Sequence, residues 1–270
     1  MYRGEHGIFR GFLFLFLYTI CYACTMSLIQ QYTKLRNQGM SPRVLFVCGA
    51  SPDYPSNRIK RRILSKYTRL NELFSKRRGY IMRFFDIGWR LPFFIWRTDI
   101  LYVGWMGHHL VPIIRLLSGK PIIFDLQAEL HDALCEDRKL CAHGSVMCRL
   151  ARFLDTYVHT RCDVIIAHDL IHARRLREMY QVPPEKLVFI PMCADTKLFF
   201  RQPQRKQPQD AEKFLIDFCG EFSPAHGVEY ILRAAKLLED THIHFRIAGK
   251  GQLSLQITAL FEELRPKNVE

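Results

Sequence analysis

The chain has 270 residues, 49% hydrophobic and 24% charged, the composition of a globular protein with a buried core and not of a disordered or fibrous one. Lysine and arginine number 39 against 26 acidic residues, a net charge of +13. An excess of that sign asks for an anionic partner: nucleic acid, anionic lipid or a phosphorylated substrate. Nine cysteines are scattered without an even framework, which fits a reduced, cytosolic location better than a disulfide scaffold.

The first feature in chain order is an uncharged run over 11–29, GFLFLFLYTICYACTMSLI, about long enough to cross a bilayer. Arg3 and Arg10 precede it and Lys34 and Arg36 follow it, so the flanking charges do not set an orientation. Three readings stay open for residues 1–39: a membrane anchor, an extension the fold does not need, and a signal or buried segment.

From Met40 the pattern changes to alternating short apolar runs and helical stretches. Val44–Cys48 (VLFVC) reads as a buried parallel strand that stops at Gly49. Asn57 opens a predicted helix to about Arg78, with Ile59, Ile63, Tyr67, Leu70 and Phe74 on one face and nine lysines and arginines elsewhere. That basic surface suits anionic headgroups. It lacks the interleaved exposed aromatics and the signatures of nucleic-acid binding, so no nucleic-acid partner is expected. Tyr80–Ile87 is a second strand candidate, and Ile100–Val103 a third, ending at Gly104. A short helix over Leu110–Leu117 follows. Pro121–Leu126 is a fourth strand, with Gln127, Glu129, His131 and Asp132 just past its end, where chemistry collects in parallel sheets. Val146–Arg161 reads as a helix, Asp163–Ala167 as a fifth strand, and Asp169 as the cap of a helix over Leu170–Tyr180 that Pro183 and Pro184 terminate. Leu187–Ile190 is the sixth strand. The alternation predicts a doubly wound α/β domain over 40–200, a polar, proline-containing linker over 201–213, and a further domain over 214–270.

That further domain opens with the clearest signal in the chain. Leu215–Phe218 is apolar and stops at Gly220; Ser223, Pro224 and Gly227 mark a turn; Val228, Ile231, Leu232, Ala235 and Leu238 recur at helical spacing. Ile243, Phe245 and Ile247 then alternate up to Gly249-Lys250-Gly251. This is a βαβ unit, with Gly220 and Gly249 read as glycine turns at the carboxyl ends of neighbouring strands. Such turns hold a pyrophosphate with backbone N–H groups and a helix N-terminus. A helix over Leu253–Leu264 closes the chain. No GxSxG, Walker A or GxGxxG motif occurs. His108, His109, His131, Cys135, Cys141, His143 and Cys148 fall in one stretch at spacings that match no standard zinc pattern, so no metal site is expected.

Taken together and in this order, three passages resemble the retaining glycosyltransferases of family 4, which have the two-domain GT-B fold: CDVIIAHDLIHARRLREMYQVPPEKLVFIPMCADTKLFF, FCGEFSPAHGVEYILRAAKLL and RIAGKG. The resemblance covers most of residues 43–253. It implies transfer of a sugar from a nucleotide-sugar to an acceptor, without a metal or other cofactor. The second domain would bind the donor through Gly220, Ser223, His226, Gly227, Gly249, Lys250 and Gly251. The first would bind a lipid-linked or glycan acceptor, entering by the Gly49 loop, with Asp125, Gln127 and Glu129 as the catalytic candidates on the sugar side.

The sequence departs from the family at named positions. Glu221 and His226 stand where the family has an Arg and a Lys that meet the donor diphosphate, and Gln127 stands where it often has a His. The family's two donor-binding glutamates, eight positions apart, would follow the passage at which this sequence ends. The expectation is therefore an incomplete donor-binding domain, left as a truncated product or completed by a second chain. The enzyme is expected at an anionic membrane surface with its catalytic part cytoplasmic. The alternative is a truncated, non-catalytic module that binds a membrane or a partner chain.

Overall fold

A computed structural model describes residues 41–49, 51–77, 79–196, 198–200 and 214–270. The apolar run 11–29 and the linker 201–213 lie outside the described residues. Among the described residues no helix is long and apolar enough to cross a membrane. Two compact units are present: one runs to Leu130 and resumes over Arg149–Phe199, and the other combines His131–Cys148 with the chain from Phe200 onward.

The first unit is built on six parallel strands: β1 (Arg43–Val47), β2 (Arg69–Leu73), β3 (Ile100–Val103), β4 (Ile122–Asp125), β5 (Val164–Ala167) and β6 (Leu187–Phe189). Their order in the sheet is β2-β1-β3-β4-β5-β6. Helices α1 (Pro55–Tyr67), α2 (Tyr80–Ile95), α3 (Leu110–Leu117), α4 (Val146–Arg161) and α5 (Leu170–Met179) make the crossovers. Strand order reverses between β1 and β3, the position at which sheets of this kind open a ligand crevice.

Alternation along the strands divides the core in two. Leu45, Val47, Leu101, Val103, Phe124, Ile165 and Ala167 pack on one face with Ile87, Leu91 and Ile95 of α2. Val44, Phe46, Ile100, Tyr102, Val164 and Ile166 pack on the other, beneath Leu64 of α1. Both faces are covered by helices, so β1, β3 and β5 read as continuous apolar runs in the sequence.

Two predicted elements are corrected. The helix opening near Asn57 ends at Tyr67, not Arg78. Thr68 is extended, with its N–H and hydroxyl both bonded to the Leu64 carbonyl (2.9 and 2.8 Å), and the chain turns into β2. That strand, RLNEL, lies at the sheet edge with only Leu73 fully buried, so its sequence lacks the apolar run of its neighbours. Tyr80–Ile87 is the start of helix α2, not a strand. Its buried positions, Ile87, Leu91 and Ile95, have helical spacing, but the intervening positions are apolar too and hide the period.

The second unit has two parallel strands, β7 (Phe214–Glu221) and β8 (Ile243–Lys250), with helices α6 (Val228–Leu237) and α7 (Ser254–Leu264). Val228, Leu232 and Ile257 form its buried centre, with Phe218, Phe222 and Ile247 against them. Asn268–Glu270 begins to pair with β8: the N–H of Phe245 bonds Asn268 O (2.8 Å) and that of Ile247 bonds Glu270 O (2.9 Å).

Gly220 and Gly249 are corrected as well. They are not turn residues but partners within the strand pair, which runs on to Glu221 and Lys250. A Cβ on Gly249 would lie 2.0 Å from the Gly220 carbonyl oxygen and 2.7 Å from the Phe222 ring, and one on Gly251 would lie 2.8 Å from the Phe222 backbone. These glycines admit Phe222 against the strand ends.

Candidate functional site

In the first unit, a polar cluster lies at the carboxyl ends of the central strands. Asp125 is the last residue of β4, and His168 directly follows β5. Alternation puts both on the face that carries Tyr102 and Ile166, the face covered by α1, and Lys60 reaches in from that helix. The Lys60 ammonium is paired with Asp125 Oδ2. His168 Nε2 lies 2.7 Å from Asp125 Oδ1 and 3.3 Å from Lys60 Nζ, while its Nδ1 faces the Ile190 carbonyl at 2.8 Å. The Asp125 side chain is fully buried. Burial pushes its carboxyl up, but the hydrogen bond from His168 and the charge of Lys60 outweigh burial and hold it below the usual carboxylate range. Burial lowers the Lys60 ammonium, in part offset by Asp125. The Tyr102 hydroxyl is pushed well up by burial and by the charge of Asp125.

Glu129 is buried and pairs with His172 of α5 (3.2 Å). Burial raises its carboxyl, and the His172 hydrogen bond brings it below the ordinary value. Gln127 is partly buried, and its Nε2 has no hydrogen-bond partner among the described residues. Of the three catalytic candidates, Asp125 and Glu129 are each tied into a separate ion pair, and Gln127 retains an unengaged donor.

Gly49 lies two residues past β1, at the point where strand order reverses. A Cβ there would lie 1.9 Å from the Met106 carbonyl oxygen and 2.6 Å from the His109 ring. Met106 itself has φ of +59°. The glycine is thus required by the loop after β3. Asn57, in the first turn of α1 and fully buried, ties both loops together: its Oδ1 accepts the N–H of Trp105 (3.3 Å) and its Nδ2 donates to Ser51 O (3.1 Å). Asn57, Lys60, Tyr102 and His168 were not among the sequence candidates. The signal that finds the last two is strand parity: each lies an even number of residues from a buried apolar neighbour on the same face, at a strand end.

In the second unit, β7 ends at Glu221 and the chain passes through Phe222, the buried Ser223 and a turn of 3-10 helix over Pro224–His226. Gly227, with φ of +60°, then starts α6 without any side-chain cap. Of its first-turn N–H groups, that of Tyr230 bonds the Gly227 carbonyl (3.0 Å), and those of Val228 and Glu229 have no partner inside the helix. His226 Nδ1 bonds the Glu221 carbonyl, which leaves Nε2 as the ring's outward nitrogen. Glu221 forms two hydrogen bonds with Arg138, at 2.9 and 3.0 Å, and this guanidinium holds its carboxyl below the ordinary value. Arg138 belongs to the segment 131–148, and its carbonyl accepts from Gln252 Nε2 (2.9 Å). The acidic residue on the turn is therefore neutralised from a part of the chain that lies more than eighty residues earlier. Lys250 ends β8, and Gly251 donates its N–H to Ser254 Oγ (2.8 Å).

The histidine and cysteine stretch separates into distinct groups. Cys135 and Cys148 are joined as a disulfide, with His131 beside them. The expectation of scattered, reduced cysteines is corrected at this pair. With the two sulfurs bonded to each other, the trio offers no thiolate to a metal. His108 lies on the other unit, buried and 3.5 Å from Asp155; burial, with His159 and His109 adding to it, lowers its imidazole to about 3.

No family model and no curated protein matches the sequence. Solved structures match the fold. HepE from Anabaena, in complex with UDP and glucose, aligns with a TM-score of 0.56 at 14% identity, covering 85% of this chain and 68% of that one. Sucrose-phosphate synthase from Thermosynechococcus elongatus aligns with a TM-score of 0.63 at 10% identity, covering 85% and 69%. UDP-N-acetylglucosamine 2-epimerase from Rickettsia bellii aligns at 0.52 and 12% identity, covering 85% and 68%. The chain thus has the GT-B-like α/β fold, and spans about two thirds of the length of these neighbours.

Proposed function

We propose that the chain is a glycosyltransferase that moves a sugar from a nucleotide-sugar to a lipid-linked or glycan acceptor at a membrane surface. The observation that carries this reading is the uncapped start of α6 at the carboxyl end of the β7–β8 pair, in a fold whose neighbour HepE was crystallised with UDP and glucose. A diphosphate at this end meets the first-turn N–H groups of Val228 and Glu229 and the positive end of the helix dipole. Gly227 lets the backbone approach without a side chain, and Lys250 supplies a further donor, as does Nε2 of His226 in the imidazolium form, the Nδ1–H being committed to the Glu221 carbonyl. Stabilising charge as it develops on the departing nucleoside diphosphate is the electrostatic task of such a site, and it needs no metal or cofactor. The Arg138 pair cancels the repulsion that Glu221 would otherwise exert on the phosphates.

In the first unit, the Asp125–Lys60–His168 cluster is a positioning group. Its carboxylate is fully engaged, so it fixes Lys60 and His168 and does not take a proton from the acceptor. Gln127 keeps a donor for a sugar hydroxyl, and Glu129 aligns His172. Retention and a hexosyl donor rest on the family resemblance alone. The catalytic part belongs on the cytoplasmic side of the membrane.

Calorimetric titration of the full chain with UDP and GDP, and turnover assays with nucleotide-sugars, test this reading. Micromolar binding of one nucleotide, weakened by His226→Ala and Lys250→Ala, is the expected result. Absence of both binding and turnover would sink it. A second reading, a module that binds without turnover, has the Arg138–Glu221 pair on its side, because that pair already engages a cation beside the turn. Binding of nucleotide with no transfer to any acceptor would select it.

A further inference from the structure

Helix α2 has two apolar faces. Phe84, Ile87, Leu91 and Ile95 pack into the core of the first unit. At about 100° per residue, the remaining apolar side chains Ile81, Met82, Phe85, Trp89, Phe93 and Trp96 fall on a separate arc of about a third of the circumference. These six are 57–84% exposed. The arc is continuous, and Trp89 and Phe93 are in edge contact with centroids 5.5 Å apart. Isolated exposed apolar residues need no explanation, but a contiguous stripe of this kind marks an interaction surface. The helix has 16 residues, a length of about 24 Å. Its other face is committed to the sheet, so it can lie along a surface but not enter one end-on.

The occupant is indicated by what flanks the stripe. Arg83, Arg90 and Arg97 recur every seven residues and so run along one edge of it. Asp86 is the only acidic residue of the helix, and it is paired with Arg90 at 3.6 Å. Lys76 and Arg77 precede the helix, and the whole chain carries +13. A row of arginines beside a stripe containing tryptophan and phenylalanine is the composition of helices that lie in the headgroup region of anionic bilayers. A two-fold pairing with a second copy through this face would bring the same arginine edge to both partners, which disfavours self-association.

We infer that the outer face of α2 docks the protein in-plane on a bilayer containing anionic phospholipid, with Phe85, Trp89, Phe93 and Trp96 in the acyl boundary and, at the phosphates, Arg97 and the N–H groups of Arg83 and Arg90 that the Arg77 and Phe74 carbonyls do not engage. This deepens the membrane-surface part of the proposed function, naming the surface that meets the lipid. It places the contact on α2 and not on the basic face of α1 that the sequence suggested.

Of the three tryptophans of the chain, 89 and 96 lie on α2 and at its end and 105 in the loop after β3, so tryptophan fluorescence is blind to the apolar run 11–29, and replacing the first two isolates the signal of α2. The full chain is mixed with vesicles of phosphatidylcholine and phosphatidylglycerol, with and without brominated acyl chains. A blue shift and bromine quenching are expected. Trp89→Phe with Trp96→Phe should keep co-sedimentation and lose most of the quenching. Phe85→Ser with Trp89→Ser and Phe93→Ser should weaken co-sedimentation at least tenfold without lowering the unfolding midpoint. The inference fails if quenching is absent or survives the double tryptophan replacement. It fails equally if pure phosphatidylcholine vesicles bind as well, or if the stripe is buried in a concentration-dependent dimer that resists quenching. UDP titration of the same variants separates the two proposals: retained nucleotide affinity with no lipid quenching removes the docking face and leaves the transferase reading intact.

Discussion

Asp125 is the residue whose surroundings say most about the first unit. It is a carboxylate with no solvent exposure, held by an ammonium and an imidazole. Taking charges out of water is repaid only when each finds its partner, and removing one partner of a buried pair typically costs about 3–5 kcal/mol. Asp125→Ala should therefore lower stability by about that amount, read from the denaturant midpoint. Adding Lys60→Met to that variant should recover part of the loss, because no unpaired ammonium then remains. If the single variant is as stable as the parent, the cluster is not the anchor described here. Gly249 makes a comparable point in the second unit. Its replacement by alanine sets a Cβ 2.0 Å from the Gly220 carbonyl, a clash with backbone that no rotamer relieves. A loss of about 1–3 kcal/mol is expected in unfolding measurements, as for other overpacked sites. The glycine itself was conspicuous in the sequence. Its reason was not, because close approach of Phe222 depends on residues brought together only by the fold.

At the scale of elements, the legible parts were those with one strong physical cause. Ile100–Val103 and Val146–Arg161 have the bounds their patterns predict. The buried strands are apolar runs between turn residues, and α4 has an uninterrupted helical sequence. Asp169 caps α5 as expected, accepting the N–H of His172 at 2.6 Å. Asp169→Ala should cost about 1 kcal/mol, seen as a lower thermal midpoint, with Asp169→Asn close to neutral; equal midpoints for all three forms would mean that the cap contributes nothing. Illegible elements were those in which two causes compete. β2 is an edge strand with a polar sequence, so its pairing with β1 leaves little trace. Helix α2 is apolar on the face that packs and on the face that does not, which cancels the period that identifies a helix. The same redundancy that misled the sequence reading is the basis of the docking surface. The candidate site was legible in location, at the carboxyl ends of strands, but not in its wiring. Lys60 and His168 reach Asp125 from positions 65 residues before it and 43 after it. Arg138 reaches Glu221 across 83. No local pattern announces such pairs.

For the molecule as a whole, two buried histidines, His108 and His159, and the partly buried His109 set the response to acid. His108, His109 and His159 are held neutral chiefly by burial, their imidazoles lowered to about 3, 4 and 4. In the unfolded chain each titrates near its ordinary value of about 6.5. Below that pH the unfolded chain takes up protons that the folded chain refuses, so stability falls as pH falls, from about 6.5 down to the folded values near 4 and 3. Above about pH 7 these groups contribute no slope. Each histidine contributes up to about 1.4 kcal/mol per pH unit inside the window, or roughly 2 kcal/mol apiece by pH 5. Asp125 acts lower. Its folded carboxyl is depressed, so its contribution is complete above the ordinary carboxylate range and is lost as pH falls through the folded value. The two effects therefore separate on the pH axis, histidines first. Three losses of that size together approach the whole stability of an ordinary domain. Denaturant midpoints measured from pH 8 to pH 4.5 should be flat to about pH 7 and then drop steeply. His159→Gln, which removes one of the three, should lessen the slope by about a third. A flat profile down to pH 5 would mean that these imidazoles take up protons in the folded state, and that the histidine-lined side of the first unit is open to water.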